Sequence, residues 1–124
     1  MKNVSIVVVE DELELKNLIV DMMDLFLDVK ADSFDNGLSA WQHIKENKIT
    51  IIISDIDMPG MNGLELLRSV KAQFPETIFL CMSGRAMEHK EKAKELGAEY
   101  FIPKPFEIND FVEVVKKYIP EEEK

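Results

Sequence analysis

The chain has 124 residues, enough for one domain that buries its own core without disulfides or a structural metal. A formal charge of −9 argues against the clustered basic face that nucleic-acid binding needs, so no direct contact with nucleic acid is expected. A single cysteine, Cys81, excludes a disulfide within the chain, and no stretch approaches the roughly 20 apolar residues that cross a bilayer. The expectation is a soluble cytoplasmic protein, not bound to membranes, with Cys81 as a small buried hydrophobe.

Short β-branched runs alternate with longer amphipathic ones along the chain. Residues 4–9 read as a strand that ends in the acidic run Glu10-Asp11-Glu12. A helix over 12–27 follows, with Leu15, Leu18, Ile19, Met22, Met23 and Phe26 recurring at spacings of three and four. A strand over 29–34 leads to a helix over 37–47, with Leu38, Trp41 and Ile44 as one face. The apolar strand 49–54 runs into Asp55-Ile56-Asp57. A Pro59-Gly60 turn and an Asn62 cap then start a helix over 63–74. Strand 77–82 ends at Ser83-Gly84, and the helix over 87–96 is charge-rich with a weak apolar face. Strand 100–102 enters Pro103-Lys104-Pro105-Phe106. The last helix, 108–119, turns Ile108, Phe111, Val112, Val115 and Ile119 inward. Five βα units in succession predict an α/β fold, a doubly wound five-stranded parallel sheet with five helices on its two faces.

Glu10 and Asp11 follow the first strand as Asp55 follows the third. In a parallel sheet both places lie at the carboxyl edge, where ligands bind at the point of strand-order reversal. If the first and third strands are neighbours, three carboxylates converge, and a hard divalent cation compensates their repulsion. Mg²⁺ suits such a site, since it takes oxygen ligands and commonly uses one or two carboxylates plus a phosphate; Mn²⁺ is a substitute. No Cys–His cluster offers a zinc site. Ser83 adds a hydroxyl after the fourth strand, and Lys104 adds a point charge suited to phosphate after the fifth. Nucleophilic carboxylate, metal site, hydroxyl and lysine together describe phosphoryl transfer to aspartate. Each residue alone has a plainer reading: helix-start charges for Glu10 and Asp11, turn formers for Asp55 and Ser83, a solvated lysine for Lys104. Four strand ends, each carrying the needed group, favour the joint reading.

The pieces VVVEDE, SDIDMPGMNG, MSG and FIPKPF stand in this order, with LGAEYF ahead of the last. On them the chain resembles a receiver domain of the response-regulator family of two-component signalling, over nearly its whole length. The resemblance implies a flavodoxin-like sheet of order 2-1-3-4-5, with residues 1–124 as one receiver domain. It implies that Asp55 is the phosphoacceptor and that Glu10, Asp11, Asp55 and the backbone carbonyl of Asp57 hold Mg²⁺. Ser83 would follow the phosphoryl group, Lys104 would pair with it, and Phe101 would be the switch aromatic coupled to Ser83. Glu10 stands where many relatives have Asp. A cis Lys104-Pro105 bond is also implied.

The function implied is a signalling switch that accepts a phosphoryl group on Asp55 from a histidine kinase or phosphotransfer protein. Its output, to a separate protein or an absent output domain, would pass through helix four, strand five and helix five. Such a switch phosphorylates and dephosphorylates itself and turns over no separate substrate. A stand-alone regulator is expected ahead of an excised receiver. Asp57 and Arg85, two places beyond the acceptor and the hydroxyl, are expected to bridge the mouth of the site and gate hydrolysis. His43 and His89 are expected on the surface.

Two other classes compete. Asp-x-Asp after an apolar strand also opens haloacid-dehalogenase-type phosphatases, but Pro59 takes the place of their usual Thr or Val, and the chain has no length for a cap domain. A degenerate interaction module would lack an acid, the hydroxyl or the lysine, and here all are present.

Overall fold

In the computed structural model, which describes residues 4–120, strands and helices alternate strictly: β1 (Ile6–Val9), α1 (Leu13–Leu27), β2 (Asp32–Phe34), α2 (Gly37–Glu46), β3 (Ile51–Asp55), α3 (Gly63–Gln73), β4 (Ile78–Ser83), α4 (Ala86–Glu95), β5 (Tyr100–Pro103) and α5 (Ile108–Tyr118). The strands form one parallel sheet in the order β2-β1-β3-β4-β5, the flavodoxin-like arrangement expected. The three inner strands are almost continuously apolar because helices cover both of their faces. On one face Val8, Ile53 and Leu80 meet Ile19 and Met23 of α1 and Phe111 and Val115 of α5. On the other, Val9, Ile52 and Phe79 meet Ile44 of α2, Leu66 and Val70 of α3 and Ala93 of α4.

The boundaries move where backbone hydrogen bonding competes with side-chain pattern. α1 ends at Asp28 in the left-handed conformation (φ 54°), and the Val29 N–H returns to Met23 O, so β2 begins only at Asp32. Val29 stays buried, as its apolar character suggests, but as part of the helix stop. β3 and β4 each run one residue further than expected. Asp55 pairs with Met82 and Ser83 with Pro103, which makes both residues the last rungs of the ladder and not the first of a loop.

Four side chains expected to face inward are exposed: Leu18, Phe26, Leu38 and Ile108. The buried arc of α1 is Ile19, Met22, Met23 and Leu27. Leu18 and Phe26 each precede one of these by a residue and are turned about 100° away. Leu38 is displaced in the same way from the buried Gly37, and the inner face of α2 is Gly37, Ala40 and Ile44. Ile108 opens α5 and lines an apolar depression with Leu15, Leu18 and Phe106. α4 is the least embedded helix. Among its described side chains only Ala93 is wholly buried, and no side chain caps its start. Among the described residues no helix is long and apolar enough to cross a membrane.

Candidate functional site

Because β1 and β3 are neighbours, their carboxyl ends bring Glu10, Asp11 and Asp55 together. One carboxylate oxygen from each lies within 4.8 Å of the others. Glu10 is held from both sides. Its N–H donates to Phe34 O at 3.0 Å, and its Oε2 accepts the Glu12 N–H at 3.1 Å. The Asp55 side chain is only 6% exposed, whereas Asp11 is open to solvent.

Lys104 compensates the two buried acids. Its Nζ donates to Glu10 Oε1 at 2.8 Å and lies 3.3 Å from Asp55 Oδ1. The Lys104 N–H also donates to Ser83 O at 2.9 Å, which docks the loop after β5 onto β4, and the Lys104-Pro105 bond is cis, as expected. Burial raises the Glu10 and Asp55 carboxyls above their ordinary values, more than Lys104 pulls them down. Burial lowers Lys104 in turn, but its bond to Glu10 and the charge of Asp55 more than offset that and hold the ammonium above its ordinary range.

Two glycines press the segment after β3 into place. A Cβ on Gly63 would stand 2.2 Å from Asp55 O and 2.7 Å from Ile56 Cα. Only a bare backbone lets the start of α3 approach so closely, and the Gly63 N–H donates to Ile56 O at 3.0 Å. On the other side a Cβ on Gly37 would meet Met61 O at 2.3 Å. A capping box between Asn62 and Glu65 completes the turn into α3.

Ser83, wholly buried, donates from Oγ to Asp57 Oδ2 at 3.0 Å and accepts the Arg85 N–H at 2.9 Å. Asp57 Oδ1 is 2.9 Å from His89 Nε2 and 3.7 Å from Arg85 Nη1. The guanidinium of Arg85 is bound more closely by Glu88. Burial works against the Asp57 charge. The hydrogen bonds from His89 and Ser83, with the charges of His89 and Arg85, outweigh it and hold this carboxyl below the usual carboxylate range. His89 is therefore not the solvated residue its helical surroundings suggest, its side chain being 18% exposed. His43 is also sheltered, against Phe34 at 5.0 Å between ring centroids. Phe101 is half-buried and pairs with Cys81 in the sheet. Since alternate residues share a face, it lies on the same side as Ser83. Burial pushes the Cys81 thiol up to about 12, which makes it inert.

Three hard oxygen donors at one sheet edge, with no nitrogen or sulfur among them, fit Mg²⁺ in character. An acidic pair, a ladder-end aspartate, a hydroxyl and a lysine thus meet on four strand ends in the order the resemblance requires. A profile of the response regulator receiver domain matches residues 6–116. The chain belongs to that family.

Members of the family are phosphorylation-controlled switches of two-component signalling. This receiver is 28% identical over 123 residues to sporulation initiation phosphotransferase F of Bacillus subtilis, covering 97% of each chain. It is 33% identical over 109 residues to a protein-glutamate methylesterase/protein-glutamine glutaminase of Clostridium acetobutylicum, matching 85% of the receiver but spanning only 32% of that enzyme's length. Among solved structures, the receiver domain of NtrX from Brucella abortus superposes with a TM-score of 0.85 at 26% identity, covering 92% of this chain and 97% of the other. The non-phosphorylated HemR receiver domain from Leptospira biflexa superposes with a TM-score of 0.88 at 22% identity over 98% of both chains, a likeness of fold.

Sequence reasoning missed two parts of this receiver's site. The clamping role of Gly37 and Gly63 leaves no sequence signal, because helix starts often carry glycine. His89 did leave one. It lies four residues after Arg85, so it shares that residue's helix face.

Proposed function

We propose that this chain, residues 1–124, is a single cytoplasmic receiver that accepts a phosphoryl group on Asp55 from a phosphohistidine of a histidine kinase or phosphotransfer protein. The observation that carries the reading is the Asp55 carboxylate itself, nearly buried at a ladder end with Lys104 Nζ at 3.3 Å and two further acids beside it. A buried nucleophile compensated by one lysine is poised for an electrophile that brings its own negative charge.

Glu10, Asp11, Asp55 and the backbone carbonyl of Asp57 would hold Mg²⁺, or Mn²⁺ in its place. When bound, the cation would neutralise charge on the phosphoryl oxygens as transfer proceeds. An Asp55 oxygen forms the new O–P bond as the P–N bond breaks; the electron pair stays on the donor imidazole, which is reprotonated from solvent. Lys104 releases part of its hold on Asp55 and donates to a phosphoryl oxygen, and Ser83 turns its proton toward another. Rate enhancement then comes from positioning and electrostatics, and no separate substrate is turned over.

Output would pass through α4, β5 and α5. Ser83 and Phe101 share a sheet face, and α4 above them is thinly anchored, so withdrawing the hydroxyl leaves room for the ring to turn inward. The test is radiolabelled transfer from a small acyl-phosphate donor in Mg²⁺. Wild type should acquire hydroxylamine-labile label and Asp55→Asn none, while phosphoryl-mimic binding should alter amide exchange across residues 84–106. Equal labelling of both proteins would refute the acceptor, and unchanged exchange would refute the output face.

A further inference from the structure

Ser83 has one proton to give. It gives it to Asp57 Oδ2 at 3.0 Å. A hydroxyl that follows a phosphoryl group must donate to that group, so holding Asp57 and binding the phosphoryl oxygen exclude each other. Whatever fixes Asp57 therefore sets how readily Ser83 leaves.

Asp57 is fixed chiefly by His89. Nε2 stands 2.9 Å from Oδ1, and because an ionised carboxylate only accepts, the ring nitrogen is the donor. The imidazole is sheltered, at 18% exposed, whereas Arg85 is 59% exposed, 3.7 Å away and engaged by Glu88. A hydrogen bond to a charged acceptor is among the stronger kinds, and more so away from bulk water. It also spans elements, joining α4 to the segment after β3 across 32 positions of sequence. Beyond the Arg85 N–H bond to Ser83 Oγ, α4 has little else at that end: its N-cap side chain makes no capping bond, and Ala93 is its one wholly buried described side chain.

We propose that His89 is the resting latch of the switch. Through Asp57 it withholds Ser83 from the phosphoryl site and ties α4 to the phosphoacceptor's loop. The inference rests on the phosphoryl-acceptor reading of Asp55. When Asp55 is phosphorylated, the Ser83 proton goes to the phosphoryl oxygen, and Asp57 loses one donor while negative charge grows two residues away. The Asp57–His89 bond must then rearrange, and α4 with it. His89 touches none of the reacting atoms and is a positioning residue.

The probe is beryllium fluoride with Mg²⁺ on the full chain, with affinity measured by titration and α4 followed by amide exchange. His89→Ala should bind at least about fivefold more tightly, the low end of typical coupling between sites. Amides 86–95 of the unliganded variant should exchange faster than in wild type. His89→Gln keeps a donor and should return both quantities toward wild type, which a role in packing alone would not do. In an Asp57→Ala background, His89→Ala should change affinity no further. Unchanged affinity in His89→Ala, or an effect that persists without Asp57, overturns the latch alone. Wild type that binds no beryllium fluoride overturns both the latch and the acceptor reading.

Discussion

Lys104 Nζ donates to Glu10 Oε1 at 2.8 Å, a bond that joins the two ends of the chain across 94 positions of sequence. The Glu10 side chain is 1% exposed and that of Lys104 21%, so the pair is largely withdrawn from water. Asp55 shares the same ammonium. One cation therefore serves two buried acids from different strands.

Removing that cation should destabilise the metal-free protein. Lys104→Met leaves Glu10 and Asp55 uncompensated at a cost of about 1–3 kcal/mol, below the full figure for a deeply buried pair because the lysine is partly solvated. Mg²⁺ should restore more stability to the variant than it adds to wild type, since it no longer competes with the ammonium. Urea denaturation with and without Mg²⁺ checks both points. Equal metal-free stability of the two proteins would show that Lys104 compensates nothing.

The raised carboxyls set a pH dependence with a definite sign. Glu10 and Asp55 start from 4.5 and 3.8 and are pushed upward mainly by burial. Between the ordinary and the raised values the folded protein keeps protons that the unfolded chain has released. Their contribution to metal-free stability is thus full below that window and lost as pH rises through it. Mg²⁺ needs ionised ligands, so its affinity should rise over the same window. The difference in unfolding free energy between wild type and Glu10→Gln isolates the effect from the other carboxylates. Wild type gaining stability relative to Glu10→Gln as pH rises, in chelator-treated protein, would contradict it.

Gly63→Ala should be costly because the atoms it would meet, Asp55 O and Ile56 Cα, are backbone and cannot swing aside. Overpacking of this kind costs about 1–3 kcal/mol. The strain falls on the carbonyl of Asp55, the proposed acceptor, so labelling of that residue should slow as well. Nothing stands within 4 Å of a Cβ on Gly84, which makes Gly84→Ala the control, with a stability change within about 0.5 kcal/mol. Thermal melts and acyl-phosphate labelling of the three proteins decide the matter. Indistinguishable melts would mean that the close approach is not a constraint.

The lifetime of the acyl phosphate should respond more to Asp57 than to Arg85. The guanidinium reaches Asp57 only at 3.7 Å and is held by Glu88, so a gate built on that ion pair alone is loose. Exposed pairs of this kind contribute about 0–1 kcal/mol. Asp57→Asn should shorten the lifetime several-fold and Arg85→Ala about twofold, since each ~1.4 kcal/mol of barrier is a factor of ten. Loss of radiolabel over time reads this directly. Wild-type decay in both variants would remove the gate.

The fold was legible because its determinants are local. Three isoleucines in β3, a helical stripe through Ile19, Met22 and Met23 and the punctuation at Pro59-Gly60 and Asn62 name their elements without reference to the rest of the chain. Glu10, Asp11, Asp55, Ser83 and Lys104 were legible for a related reason. Each immediately follows or ends a strand, and parallel topology sends every such end to one edge. His89 left only its spacing of four from Arg85, because its partner comes from another βα unit and its own helix has no apolar stripe to orient it. The exposure of Leu18, Phe26 and Leu38 escaped periodicity for want of angular resolution: one residue is about 100° of helix, and an apolar side chain at the rim reads the same as one inside.

The sheet that gathers Glu10, Asp11, Asp55, Ser83 and Lys104 at one edge keeps all five away from the opposite edge. The turn that holds Lys48 lies there, exposed and a strand's length from Asp55, roughly 17 Å for five residues. Cys81, the chain's single thiol, is buried and held protonated. A cysteine introduced at Lys48 would therefore be the one thiol open to a maleimide dye, with no native cysteine to remove first. The chain is thus open to site-selective labelling, and a fluorophore placed there stands clear of Glu10, Asp11, Asp55, Ser83 and Lys104.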